Sequence, residues 1–244
     1  MRNIKLTIQY DGTNYSGWQR QNNSNSIQEQ IEKAINKVTS EKVNLIGSGR
    51  TDKGVHALGQ VANFLTSSRI PADRFKLALN SILPEDISII ESEEVDIDFH
   101  SRYHALGKRY RYCIYNGKIR NPLYRNYAYH VPWSLNYKEM EKGIKYFIGT
   151  HDFKAFMASN SSVKSTVRTV SKFYLEHKED LMVFTIEGNG FLYNMIRIII
   201  GTLVDIGRER IKADKIPQIL ESKNRQLAGH TAPPQGLYLT RVFY

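Results

Sequence analysis

The chain has 244 residues, 41% of them hydrophobic, enough to bury a substantial core in one large domain or two and too apolar for a disordered chain. Lys and Arg number 34 against 24 Asp and Glu, a formal charge of +10, which favours a polyanionic partner, nucleic acid first. Cys113 is the only cysteine, which excludes an intrachain disulfide and suits a reducing, cytoplasmic location. The longest apolar run, Met195 to Gly201, is broken by Arg197 and is too short to cross a membrane.

Met1 leads almost directly into a strand-like run, about Asn3 to Tyr10, with no signal-peptide pattern before it. Ser26 and Glu29 form a capping box for a helix whose apolar face is Ile27, Ile31, Ala34, Ile35 and Val38. Strands are expected at Val43–Gly47 and Leu58–Leu65. Pro71 opens a second helix with Phe75, Leu79, Ile82 and Leu83 on its face and Pro84 as its stop, and a strand over Ile87–Glu93 closes the first half.

The second half repeats the order. Lys108–Tyr115 reads as a strand with Tyr110, Tyr112 and Ile114 on one face. A short strand near Tyr127–Val131 precedes a helix capped by Asn136 and ended by Gly149. Val167–His177 and Leu181–Glu187 form a hairpin. Helices over Phe191–Ile206 and Ala213–Leu220 and a strand over Leu237–Tyr244 complete the chain. Both halves fit βαββαβ, the split βαβ order of ferredoxin-like folds. The expectation is an α+β protein in two halves, 1–104 and 105–244, joined near Phe99–Gly107. The two halves side by side would form one broad, mostly antiparallel sheet with helices on one face. RNA-binding domains often use this order, but no RNP1 sequence is present.

The most constraining stretch is Gly47-Ser48-Gly49-Arg50-Thr51-Asp52-Lys53-Gly54-Val55-His56-Ala57-Leu58-Gly59-Gln60. Glycines permit a tight turn, and an Arg two residues from an Asp suggests a carboxylate held ionised beside a fixed cation, suited to a nucleophile or general base. The plainer alternative is a turn aspartate salt-bridged to Arg50, with His56 packed behind the loop. Tyr110 lies among Arg109 and Arg111, where a ligand-facing role competes with ordinary core packing. Arg197 sits within Ile196 and Ile198–Ile200 and requires a partner, for which Asp52 is the natural choice. In Tyr10-Asp11-Gly12 to Gly17-Trp18-Gln19-Arg20, Trp18 and Arg20 offer base stacking and phosphate contact. His100 and His104 have helical ligand spacing but no cysteine pair or HExxH pattern beside them, so metal binding is poorly supported, and no nucleotide-cofactor motif is found.

Taken together, these segments resemble the tRNA pseudouridine synthase A family nearly from end to end. The matching pieces, in family order, begin with Tyr10-Asp11-Gly12, Gly17-Trp18-Gln19-Arg20-Gln21 and Gly49-Arg50-Thr51-Asp52-Lys53-Gly54-Val55-His56-Ala57. They continue with Phe99-His100-Ser101-Arg102, Lys108-Arg109-Tyr110-Arg111-Tyr112, Gly149-Thr150-His151-Asp152-Phe153, Phe191-Leu192 with Met195-Ile196-Arg197, and Thr231-Ala232-Pro233-Pro234. Lys53 stands where other members have a small residue. The resemblance implies the pseudouridine synthase fold. It also implies a uridine-to-pseudouridine isomerase acting on the tRNA anticodon stem-loop at positions 38, 39 and 40, as a homodimer without metal or organic cofactor. It makes Asp52 the catalytic aspartate, Tyr110 the active-site tyrosine, Arg197 the arginine pairing with the aspartate and Arg50 the arginine beside the flipped base. Trp18, Arg20, His56, Gln60 and Tyr110 are the expected substrate-binding residues. The reading from another class is a non-catalytic, basic RNA-binding protein.

Overall fold

The computed structural model describes residues 1–159 and 163–244. The chain divides into two compact units, one comprising Met1–Leu106 with Tyr238–Tyr244 and the other Gly107–Leu237. Each mixes helices with a mostly antiparallel sheet.

In the first unit, β1 (Arg2–Tyr10) alternates buried Ile4, Leu6, Ile8 and Tyr10 with more exposed Lys5, Thr7 and Gln9, the period-2 pattern of a strand with one face in a core. Helix α1 (Ile27–Thr39) starts where Ser26 Oγ accepts a hydrogen bond from Glu29 N at 3.4 Å, and buries Ile27, Ile31, Ala34 and Ile35. Of the expected strand over Val43–Gly47, only β2 (Ile46–Gly47) pairs with a neighbour. The polar groups of Leu45 are taken instead by side chains of α1: Leu45 N donates to Glu32 Oε1 (3.1 Å), and its carbonyl accepts from Gln28 Nε2 (3.1 Å).

β3 (His56–Thr66) is followed by a 3-10 turn, by α2 (Phe75–Asn80) and by β4 (Ile87–Val95). α2 is shorter than its apolar spacing suggests, and Ile82 lies exposed beyond its end. Asn80, the last residue of the helix, ties it to β4, its amide bonding both the N–H and the carbonyl of Ile89 at 2.8 Å. β1 lies between β3 and β4, antiparallel to both, with Leu6 opposite Ala62 and Ser92. Phe64 of β3 meets Phe75 of α2 edge-on at 5.6 Å, closing the core.

In the second unit, β5 (Gly107–Tyr115) buries Tyr110, Tyr112 and Ile114 and pairs along its length with residues Leu181–Gly188. β6 (Tyr129–His130) flanks β5, and α3 (Tyr137–Lys145) is capped by Asn136, whose Oδ1 accepts from Glu139 N. Gly149, at φ +112°, begins β7 (Gly149–Asp152), a strand the sequence reading missed because its polar residues show no alternation. β7 pairs with β8 (Val167–Lys178), and β8 forms the expected hairpin with β9 (Leu181–Gly188), giving the order β5-β9-β8-β7.

Helix α4 (Met195–Gly207) begins four residues later than the expected Phe191. Asn194 adopts a left-handed conformation, φ +59°, which a continuous right-handed helix excludes. α5 (Ile216–Ser222) follows, and then β10 (Leu237–Phe243). Tyr238 and Leu239 of β10 pair in parallel with His56 and Ala57 of β3, inside the first unit. Gly59 permits the approach, since a Cβ there would lie 2.6 Å from the Thr240 carbonyl oxygen.

Leu6 is fully buried at the centre of the first sheet and Leu58 is 44% exposed. Leu6→Ala is therefore expected to lower the unfolding free energy by about 2–5 kcal/mol. Leu58→Ala should change it by no more than about 0.5 kcal/mol. Urea denaturation compares the two, and equal effects would contradict this core assignment.

Candidate active site

The segment that carries Asp52 is gripped by the loop that follows β1, and the grip is backbone on backbone. A Cβ on Gly12 would lie 2.0 Å from the Val55 carbonyl oxygen. Gly17, at φ +104°, approaches so closely that a Cβ would lie 2.4 Å from the Thr51 carbonyl oxygen. Trp18 N donates to that oxygen at 3.1 Å, and Val55 N bonds the Asp52 carbonyl at 3.1 Å to close the turn. Thr51 is buried, and its hydroxyl bonds Tyr10 Oη at 2.8 Å. Burial pushes the Tyr10 phenol far above its ordinary range, against hydrogen bonds from Thr51 and Gln60 that act in the other direction, so Tyr10 is a neutral anchor. Asp52 itself is half-buried. The result is a carboxylate on a fixed turn between buried Thr51 and exposed Lys53.

Three of the residues expected to touch substrate are inside the first unit. Trp18 is only 2% exposed and packs on Gly47, where a Cβ would lie 2.5 Å from its ring. It has no open face on which a base can stack. His56 is also 2% exposed and stacks on Tyr238, with centroids 4.8 Å apart. Its Nδ1 lies 3.1 Å from Gly12 N and 3.1 Å from Asp11 Oδ1; one tautomer satisfies one of these and not both. Gln60 is fully buried, its Oε1 accepting from Ser48 Oγ at 2.6 Å and its Nε2 donating to the Gly49 carbonyl at 2.9 Å. These residues shape the loop. Arg50 and Arg20 are exposed: Arg50 Nε bonds Gln19 Oε1 at 3.2 Å, and Arg20 Nη1 pairs with Glu32 at 2.9 Å.

In the second unit, Tyr110 is 7% exposed and meets Phe191 edge-on at 5.2 Å. Neighbouring Arg109 is held by Glu187 at 2.7 Å. Arg197 lies in the first turn of α4. Its Nε donates to the Ala232 carbonyl (2.8 Å) and its Nη1 to Asn194 Oδ1 (2.7 Å), which fixes the plane of the guanidinium. The left-handed Asn194 thus serves Arg197 as well as starting the helix. Tyr112 Oη donates to the Pro233 carbonyl at 2.7 Å. Burial, opposed by Arg111, pushes the Cys113 thiol up to about 11, so it is no thiolate nucleophile at neutral pH.

The sequence reading overlooked Thr51, Asn194, and the buried pair Gln28 and Glu32 on α1. It also overlooked Asp205, whose signal was present: a charge among Leu203, Val204 and Ile206 demands a partner as much as Arg197 does. Among the described residues, no three His, Cys, Asp or Glu side chains gather in a way that would hold a metal ion, and no helix is long and apolar enough to cross a membrane. A groove of about 460 Å³ runs along α1, lined by Arg20, Lys33, Lys37 and Lys42 among others; Asp52 does not line it.

Comparison with known proteins agrees with the residue pattern. The tRNA pseudouridine synthase family model matches residues 6–104 and 144–244. The tRNA pseudouridine synthase A of Acetivibrio thermocellus is 57% identical over 244 residues, covering the whole of both chains. The enzymes of the same name from Thermoanaerobacter sp. and Caldicellulosiruptor bescii are 54% and 55% identical, again over the full length of each chain. Among solved structures, a Cbf5-Nop10-Gar1 complex aligns with 96% of this chain and 57% of that one at 13% identity and a TM-score of 0.40, too loose a likeness to add weight. The chain belongs to the tRNA pseudouridine synthase family and is an isomerase.

Gly17→Ala places a methyl group against the Thr51 carbonyl at a backbone angle that favours glycine. It is expected to cost roughly 2–4 kcal/mol of stability and to lower turnover with it. Wild-type stability in that variant, measured by urea titration, would refute the clamp.

Asp152 and Asp205 contribute stability that acid removes. Burial opposes ionisation of Asp152, but hydrogen bonds from Thr166, Lys223 and Lys154 N hold its pKa below the ordinary value. Burial opposes ionisation of Asp205 too, and the hydrogen bonds of His230 likewise win. Both folded values are depressed, so the stabilisation is complete above about pH 4 and is lost as pH falls through the folded values. Asp152→Asn should be less stable than wild type at neutral pH, and its stability should decline less steeply below about pH 4. Parallel acid-limb denaturation curves would contradict this.

Proposed function

We propose that this isomerase converts uridine to pseudouridine in the anticodon stem-loop of tRNA, at positions 38, 39 and 40, with Asp52 as its catalytic carboxylate. Full-length identity to the tRNA pseudouridine synthases A supports the substrate class. The observation that carries the site is the clamped loop. Thr51 is anchored by Tyr10 and by Trp18 N, leaving Asp52 half-buried at the turn, with little freedom to lose when substrate arrives.

The reaction breaks the bond between ribose C1′ and uracil N1, turns the base and joins C1′ to C5. N1 gains a proton and the C5 proton leaves to solvent, so the atoms balance without oxidant, group donor or net water. The target nucleotide must leave its stack at a cost of a few kcal/mol. In our reading, Arg50, exposed at the start of the loop, occupies the vacated space. Tyr110 stacks on the extruded uracil and assists loss of the C5 proton. Ionised Asp52 opens the reaction, either by attack at C1′ or by drawing a proton from the sugar. Arg197 is the arginine that the family resemblance assigns to the catalytic aspartate. Arg20 contacts the RNA directly, and Trp18, His56 and Gln60 act through the shape of the loop, as their burial requires. The protein acts in the cytoplasm as a homodimer and needs no metal or organic cofactor.

Asp52→Asn is nearly isosteric and uncharged. Tritium release from C5-labelled tRNA is expected to fall ~10³-fold or more while tRNA affinity persists. Substantial turnover in this variant would remove Asp52 from the chemistry.

A further inference from the structure

Residues 228–233 form a strap laid directly on α4. A Cβ on Gly201 would lie 1.8 Å from the His230 carbonyl oxygen, and one on Gly229 would lie 2.6 Å from the Thr202 Cα, so both contacts need glycine. Three side chains fasten the strap. Thr202 Oγ1 accepts from Gly229 N at 2.9 Å. Arg225 donates to the Gly229 carbonyl (2.9 Å) and to Thr231 Oγ1 (3.1 Å). Asp205 Oδ2 accepts from His230 N (3.2 Å) and faces His230 Nδ1 (3.0 Å).

The strap ends on the residue that matters for the reaction proposed above. Ala232 N donates to the Arg197 carbonyl at 2.9 Å, and the Ala232 carbonyl accepts from Arg197 Nε at 2.8 Å. One residue on, the Pro233 carbonyl receives Tyr112 Oη from β5, the strand that also carries Tyr110. A displacement of residues 230–232 would therefore turn the guanidinium plane. Arg225, also charged, bonds Ala228, Gly229 and Thr231 on either side of His230, and Thr202 bonds Gly229, but neither touches His230 itself. Asp205 holds two donors of one residue with a single charged oxygen, the stronger kind of hydrogen bond. It is 8% exposed in a helix of Ile, Leu and Val, where a carboxylate is costly unless hydrogen-bonded. With Nδ1–H directed at Asp205, His230 Nε2 accepts from Tyr129 Oη at 3.2 Å, which fixes the outer side of the ring.

We infer that Asp205 is a positioning residue for catalysis: through His230 and the strap it sets the orientation of Arg197. The inference rests on the reading that Arg197 serves the reaction.

Asp205→Ala, Asp205→Asn, Arg197→Ala and the double variant Asp205→Ala with Arg197→Ala are compared by tritium release and by tRNA affinity. Asp205→Ala should lower kcat about tenfold or more, with affinity for tRNA within about twofold of wild type. Asp205→Asn keeps one acceptor for His230 and should recover part of that loss. In the Arg197→Ala background, Asp205→Ala should cost nothing further, because the two act through one group. Wild-type kcat in a folded Asp205→Ala, or additive losses in the double variant, would overturn the inference and leave the role of Arg197 standing. Wild-type kcat in Arg197→Ala would overturn both. Near-UV circular dichroism establishes folding, and if Asp205→Ala does not fold, Asp205→Asn decides: an unchanged kcat overturns the inference.

Discussion

The contact on which the aspartate loop depends is that of two glycines with its backbone. Gly12 lies on Val55, and Gly17 lies on Thr51 and Asp52, at distances no side chain permits. Backbone contact of this kind leaves no rotamers to average over. The hydrogen bond from Trp18 N and the buried Tyr10–Thr51 pair then fix the loop along its length. A general acid–base or nucleophilic carboxylate works best when its direction is settled before substrate binds, because no reorganisation is left for the reaction step. The buried aromatic and polar residues of this region are the means of that fixation: Trp18, His56 and Gln60 each lie within 2% of complete burial.

The second unit uses the same device with different parts. Gly201 and Gly229 bring the strap onto α4, as Gly12 and Gly17 bring the opening loop onto the aspartate loop. A left-handed Asn194 lends its side chain to Arg197, and a buried carboxylate holds the strap whose carbonyl holds the same guanidinium. In both units a polar side chain, Asp52 in one and Arg197 in the other, sits on a frame that buried neighbours hold. Such neighbours matter because an arginine or aspartate on a loose segment would have to be ordered during each turnover, an entropic cost that a fixed frame removes.

Much of the fold was legible because it rests on local rules. Alternation revealed β1, β5 and the β8–β9 hairpin, and Ser26 and Asn136 announced the starts of α1 and α3. The misses have physical causes. Leu45 bonds Gln28 and Glu32 and not a strand partner, α2 ends at Asn80, whose side chain bonds Ile89, and Asn194 breaks the helical run that its apolar neighbours suggest. At Leu45 side chains take the backbone that a strand partner would, and at Asn194 a left-handed backbone angle ends the run; periodicity is blind to both.

The sequence by itself determined the class of chemistry: a glycine-dense turn with Arg50 and Asp52, a cation at Arg197 within an apolar run, a net charge of +10, and an ordered set of motifs that places the chain in its family. Only the tertiary structure decided which polar and aromatic residues present themselves and which are internal supports. Trp18 was read as a stacking surface because an exposed and a buried indole are written with the same letter; Gly47 beneath its ring is what makes it buried. Asp205 drew no notice beside Arg197, although the same rule about charge in apolar surroundings applied to both. Its partner, His230, is distant in sequence and becomes its neighbour only when residues 228–233 fold back along α4.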